Sequence, residues 1–197
     1  MQGYMRYQFS FIGISTANLR SLCKKVFKHA QKTEEIDWNF IDACWENNDR
    51  ELQYVAVNYL VAMKKRLLPE HLSRIRSLAT AKSWWDTVDG LFPLAGDLTL
   101  RYPHLETTLL EWSLHSNIWL RRIAICHQIL RKDQTNTELL NHILLNNFGS
   151  KEFFVNKAIG WSLQDYSKTN PEWVRQFLES HHTTMAPLSL RETRKYL

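Results

Sequence analysis

The sequence predicts an all-α protein, a superhelical stack of antiparallel HEAT-like helical pairs with a basic concave groove. Three observations lead there. Apolar residues recur at helical spacing between short breaks, no clean two-residue alternation is long enough to build a sheet, and a short motif returns along the chain.

Taken in order, the periodicity predicts helices over 16–30, 35–46, 50–66, 70–80, 84–100, 104–115, 117–131, 135–147, 151–167, 171–180 and 189–196. Ser83-Trp84-Trp85-Asp86 has the spacing of a capping box, in which Ser83 and Asp86 would each satisfy a first-turn amide. Pro69, Pro103 and Pro171 fall near expected first turns, where a missing N–H costs nothing. The repeat shows in Gln53–Val57, Arg121–Ile125 and Val155–Ile159, each with an alanine followed by a β-branched residue. The second and third copies lie 34 residues apart, which suits stacked helical pairs, and no tetratricopeptide or ankyrin consensus is present. Such a stack lines its concave face with one helix of each pair. A single domain is expected over residues 1–197.

Composition narrows the class. With 44% hydrophobic residues, 6 Gly and 5 Pro, the chain has the makings of a packed body rather than a linker. Cys23, Cys44 and Cys126 are odd in number and far apart, so neither a disulfide framework nor a thiolate zinc site is expected. The histidines, including the adjacent His181-His182, lack metal-ligand spacing. No metal and no cofactor are expected. No signal-peptide core or membrane-length apolar run is seen, so a cytoplasmic protein is expected. The formal charge of +5 favours a polyanionic partner, though only weakly by itself.

Four places hold residues suited to chemistry. In Lys82-Ser-Trp-Trp-Asp-Thr-Val-Asp89, helical spacing puts Trp85 and Asp89 on one face and Trp84 on a neighbouring one. A carboxylate beside an indole in a basic groove would stabilise an oxocarbenium ion. The competing reading pairs Asp89 with a nearby Lys or Arg and leaves Trp85 to fill core. Arg121 and Arg122 open the helix of Asn117-Ile-Trp-Leu-Arg-Arg-Ile-Ala-Ile125, where guanidinium forks suit phosphate but a solvated pair is an equal alternative. In Lys151–Trp161, Gly160 marks close approach of another backbone or a ligand, and Trp161 either meets a sugar or base or packs in the core.

The segments KSWWDTVD, NIWLRRIAI, SKEFFVNKAIGWSL and YSKTNPEWV together resemble the HEAT-like-repeat alkylpurine DNA glycosylases of the AlkD type. The resemblance runs from about Tyr4 to the PLSLRE segment. It implies a monomer that holds duplex DNA in its groove, uses no metal and meets no membrane. Its activity would be that of a monofunctional hydrolase removing cationic lesions such as N3-methyladenine and N7-methylguanine without flipping them into a pocket. By motif matching, Asp89, Trp85 and Trp161 fall on the catalytic positions and Arg122 on the phosphate-contacting arginine. Tyr4, Lys82, Arg121 and Lys157 are the further expected DNA contacts.

Two features depart from the family pattern. The helix expected to carry Tyr4 is short and interrupted by Gly3, whereas relatives typically begin earlier with a helical segment close to DNA. Gln164-Asp165 stands where relatives commonly carry a basic residue. An alternative therefore stands beside the active glycosylase, a DNA-binding paralogue with weak or no excision. A peptide-binding scaffold, a third reading, leaves the retained site residues without a purpose.

Overall fold

The computed structural model describes residues 3–32 and 35–197, so Met1 and Gln2 of the opening segment lie outside it. Among the described residues the chain forms eleven α-helices and four 3-10 turns, with a lone β-bridge between Ser10 and Asp49. It divides into two compact units, residues 1–71 and 72–197.

The first unit contains α1 (Thr16–Ala30), α2 (Trp38–Glu46) and α3 (Arg50–Ala62), followed by a 3-10 turn at Lys64–Arg66. Ser15 and Asp37 cap α1 and α2 by accepting from Asn18 N and Phe40 N. The second helix therefore starts at Trp38, three residues later than the periodicity predicts. The loop before α1 is tied to α3. Buried Glu51 accepts from the backbone amides of Ile12, Gly13 and Ile14 at 3.0, 2.8 and 3.3 Å. These charge-assisted bonds satisfy a carboxylate that would otherwise be costly to bury.

The second unit follows with α4 (His71–Thr80), α5 (Trp85–Arg101), α6 (Glu106–Ser113), α7 (Ile118–Cys126), α8 (Thr137–Leu145), α9 (Phe153–Ser167), α10 (Pro171–His181) and α11 (Pro187–Thr193). Its centre is α7, which buries seven of its nine residues and packs on α5, α6, α8 and α9. The α9 helix packs in turn on α10 and α11. The three repeat alanines, Ala56, Ala124 and Ala158, are all at most 1% exposed, so each marks where its helix meets neighbours. Long-range side-chain hydrogen bonds show the same period. Arg122 reaches Asp89, Asn146 reaches Ser113 and Ser189 reaches Asn156, each across 33 residues. Polar groups of one repeat thus satisfy those of the next.

Several predicted ends are corrected. The helix expected over 117–131 stops at Cys126, because the residues beyond it are drawn into other contacts. Leu130 has φ 69° and donates its amide to Asp165 Oδ2 at 2.7 Å, while Arg131 donates to Gly96 O at 2.7 Å and to Thr99 Oγ1. Asp165, unexpected at its position, serves as the acceptor that ends this segment. The helix expected over 50–66 tightens to the 3-10 turn after Ala62, and that over 104–115 divides into a 3-10 turn at Pro103–Leu105 and α6. The last helix starts two residues early, at Pro187, and gives way to a 3-10 turn at Arg194. The capping box at Ser83 does not form. The α5 helix starts at Trp85 with no side-chain cap, and Ser83 Oγ instead donates to Ala79 O at 2.8 Å, bonding back to the end of α4.

Candidate active site

The second unit brings Asp89 of α5, Arg122 of α7 and Trp161 of α9 together. One turn after Trp85, the Asp89 carboxylate meets Arg122 side-on, with Nε–Oδ1 at 2.7 Å and Nη2–Oδ2 at 2.8 Å. This bidentate fork fixes the carboxylate in orientation as well as position. Arg122 Nη1 donates to the carbonyl of Phe154 at 2.8 Å, anchoring the fork to the start of α9.

Burial distinguishes the partners. The Arg122 side chain is 5% exposed and that of Asp89 22%, so the cation is enclosed and the carboxylate keeps a path to solvent. Burial opposes the Arg122 charge, but the hydrogen bonds to Asp89 and the acidic groups around it, Cys126 and Asp89, together hold its pKa above the usual arginine value. The neighbouring Cys126 is fully enclosed. Burial pushes its thiol up to about 12 despite the nearby guanidinium, which leaves no thiolate at neutral pH.

Aromatic rings close two sides. The Arg122 guanidinium carbon lies 5.8 Å from the Trp161 ring centre and 6.0 Å from that of Phe154. Trp161 stands edge-on to Phe92 at 5.5 Å and keeps a half-buried face. Trp84 goes into the core, packing 5.7 Å from Trp119 and 5.3 Å from Phe154. Trp85 is half-buried at the first position of α5, on the Asp89 face by helical spacing. The tryptophan pair thus divides between core and open side.

Two glycines permit the close packing that sets this geometry. A Cβ on Gly160 would lie 2.8 Å from Ser189 O and 2.5 Å from Glu192 Cβ, so α9 and α11 touch backbone to backbone. The neighbour that Gly160 admits is therefore α11. A Cβ on Gly96 of α5 would overlap the His127 carbonyl at the end of α7. Pro93, inside α5, has no amide to offer the carbonyl of residue 89 four positions earlier, so the helix is weakened at the carboxylate itself.

The remaining expected contacts lie elsewhere or are engaged. Arg121 Nε donates to Asn147 Oδ1 at 2.8 Å. Lys157 pairs at 2.7 Å with Glu192, which also binds Lys195 at 2.6 Å, and together the two lysines hold that carboxylate below its usual pKa. Lys82 is half-buried in the short connection before α5, at φ 49°. Tyr4 belongs to the first unit, 76% exposed in consecutive turns over residues 3–8 rather than on a helix. Phe154, Phe92 and Trp119 complete the site without having been singled out in sequence. The signal was present for Phe154, which lies in the first turn of α9 inside the same motif as Trp161.

The chain matches the family described as DNA alkylation repair enzyme over residues 1–197. The chain belongs to the DNA alkylation repair enzyme family. Among solved structures it is similar to a predicted DNA alkylation repair enzyme from Enterococcus faecalis, at 32% identity and a TM-score of 0.91, covering 100% of this chain and 92% of that one. It is also similar to AlkD2 from Streptococcus mutans at 16% identity and a TM-score of 0.69, covering 100% and 98%, a likeness of fold alone. No curated protein matches. Membership in the DNA alkylation repair family supports a DNA-repair role. Among the described residues no group of three or more His, Cys, Asp or Glu could hold a metal ion, and no helix is long and apolar enough to cross a membrane.

Proposed function

We propose that this DNA alkylation repair family member binds duplex DNA and hydrolyses the N-glycosidic bond of cationic alkylpurines. The observation that carries this reading is the Asp89 carboxylate, 22% exposed, one turn from Trp85 and held by the fork of Arg122, whose guanidinium lies 5.8 Å from the ring of half-buried Trp161. A cationic purine is already a good leaving group, so no acid need protonate it. The C1′–N9 bond breaks, its electron pair passes to N9, and the alkylpurine leaves neutral. Positive charge develops on the sugar, where Asp89 and the negative faces of Trp85 and Trp161 stabilise it. Water then adds to C1′ and its proton passes to Asp89 or to solvent.

In this scheme Arg122 acts as a positioning residue. Its Nε and Nη2 hold both carboxylate oxygens and its Nη1 holds Phe154 O, which leaves little of the guanidinium for a phosphate. The same pair favours a second reading, in which Arg122 neutralises Asp89 so far that the protein binds DNA but excises weakly or not at all. Single-turnover release of N7-methylguanine from duplex DNA, compared between wild type and Asp89→Asn, tests the choice. Loss of release in the variant supports hydrolysis at Asp89. Background release from both, with duplex binding retained, supports the second reading.

A further inference from the structure

Positive charge without acidic neighbours in sequence is concentrated at the beginning of the chain. Residues 1–32 hold six of the 25 Lys and Arg and none of the 20 Asp and Glu, leaving 19 against 20 for residues 33–197. The first segment therefore carries +6 and everything after it −1; eight of the acidic residues fall within 34–70, and residues 72–197 carry 15 Lys and Arg against 12 Asp and Glu, so residues 1–32 stand out as an acid-free basic stretch.

Within that segment the charge is ordered by α1. Leu19 is buried and Cys23 and Phe27 half-buried as the helix packs on α3, with the Phe27 and Tyr59 rings 5.9 Å apart. Arg20, Lys24 and Lys28 follow one another at four-residue intervals on another face, about 6 Å apart along the axis. Lys25 flanks that row, and all four are exposed. The helix has no acidic residue, and like charges at this spacing repel. Surface cations in the second unit are treated differently, as in the i,i+4 pair Arg101–Asp97 and the i,i+3 pair Arg175–Glu172. The row is also preformed. The Ser15 cap and the three amide bonds to Glu51 fix the start of α1, so little order remains to be imposed on binding.

We propose that this basic face of α1 is a phosphate-binding surface for duplex DNA, separate from the Asp89 site and indifferent to damage. The inference rests on the reading of the protein as a DNA binder. An anionic membrane would also attract the charges, but the adjoining exposed apolar residues on α1, Leu22 and Val26, are too few for an inserted face.

The test is equilibrium binding of an undamaged mixed-sequence duplex across about 50 to 200 mM salt. It compares wild type, the quadruple variant Arg20→Gln, Lys24→Gln, Lys25→Gln, Lys28→Gln, and a control neutralising exposed Lys132, Lys168, Arg175 and Arg191, with thermal melts confirming the fold. The α1 variant should lose about tenfold or more in affinity at the low-salt end, with its log–log salt slope reduced by about 3 to 4, and the control much less. An unchanged slope in the α1 variant, with wild type binding well, overturns this surface and leaves the DNA reading intact. Failure of wild type to bind at low salt overturns both. Binding to vesicles of anionic lipid but not to duplex overturns the surface in favour of a membrane.

Discussion

Asp89 and Arg122 share a contact whose two partners are expected to respond differently to substitution. A lysine at 122 keeps the charge but offers a single point donor in place of the fork. If Arg122 positions the carboxylate, Arg122→Lys lowers the single-turnover rate by roughly tenfold or more while the duplex Kd barely moves. A variant that weakens Kd and keeps its rate would make Arg122 a phosphate contact instead. A second residue-scale prediction concerns His127, which is enclosed and hydrogen-bonded through Nδ1 to Ala124 O at 2.6 Å. Burial lowers its pKa from 6.5 to about 3, helped by the nearby Arg131. Above pH 6.5 the ring is neutral in both folded and unfolded chains and contributes no pH dependence. As pH falls below that value the unfolded chain gains a proton that the folded one refuses, so stability drops until about pH 3. The expected loss by pH 4 is roughly 3 kcal/mol from this ring. Urea unfolding from pH 7 to 4 should show a shallower fall for His127→Gln; parallel curves would remove His127 as the cause.

At the scale of elements, two backbone features make predictions of opposite sign. Gly160→Ala drives a methyl into Ser189 and Glu192, so α9 and α11 must separate. A loss of about 1–3 kcal/mol is expected, seen as a lower Tm. Pro93 is exposed inside α5, and Pro93→Ala restores a helical donor for the carbonyl of residue 89. A gain of up to about 3 kcal/mol is expected in denaturant unfolding, and an unchanged midpoint would show that the helix already accommodates the ring. The elements also show what sequence can convey. Helix positions were legible because a 3.6-residue period is local, and the repeat was legible because Ala124 and Ala158 occupy equivalent packing positions. The end of α7 was not, since it is set by Asp165 and Gly96, each 35 residues from its partner. For the same reason the site residues could be named singly, but their pairing could not. Whether Arg122 meets Asp89 or solvent depends on the register between α5 and α7, which no spacing within either motif encodes.

For the whole molecule, the basic row of α1 and the candidate chemistry occupy different parts of the chain. The acid-free basic row of α1 stands in the first unit, while Asp89, Arg122 and Trp161 stand in the second, whose 15 Lys and Arg are interspersed with 12 Asp and Glu. Attraction to DNA and cleavage at a lesion are therefore expected to be separable by mutation. The α1 substitutions should weaken duplex affinity and leave the rate at saturating protein unchanged, and substitutions at Asp89 should do the reverse. The most direct test of the central claim is single-turnover release of N7-methylguanine at low salt and saturating protein, wild type against Asp89→Asn. The account predicts a wild-type rate well above spontaneous depurination and a fall of about 10²–10³ in the variant with duplex affinity retained. Equal rates for the two proteins, both at the spontaneous level, would contradict it.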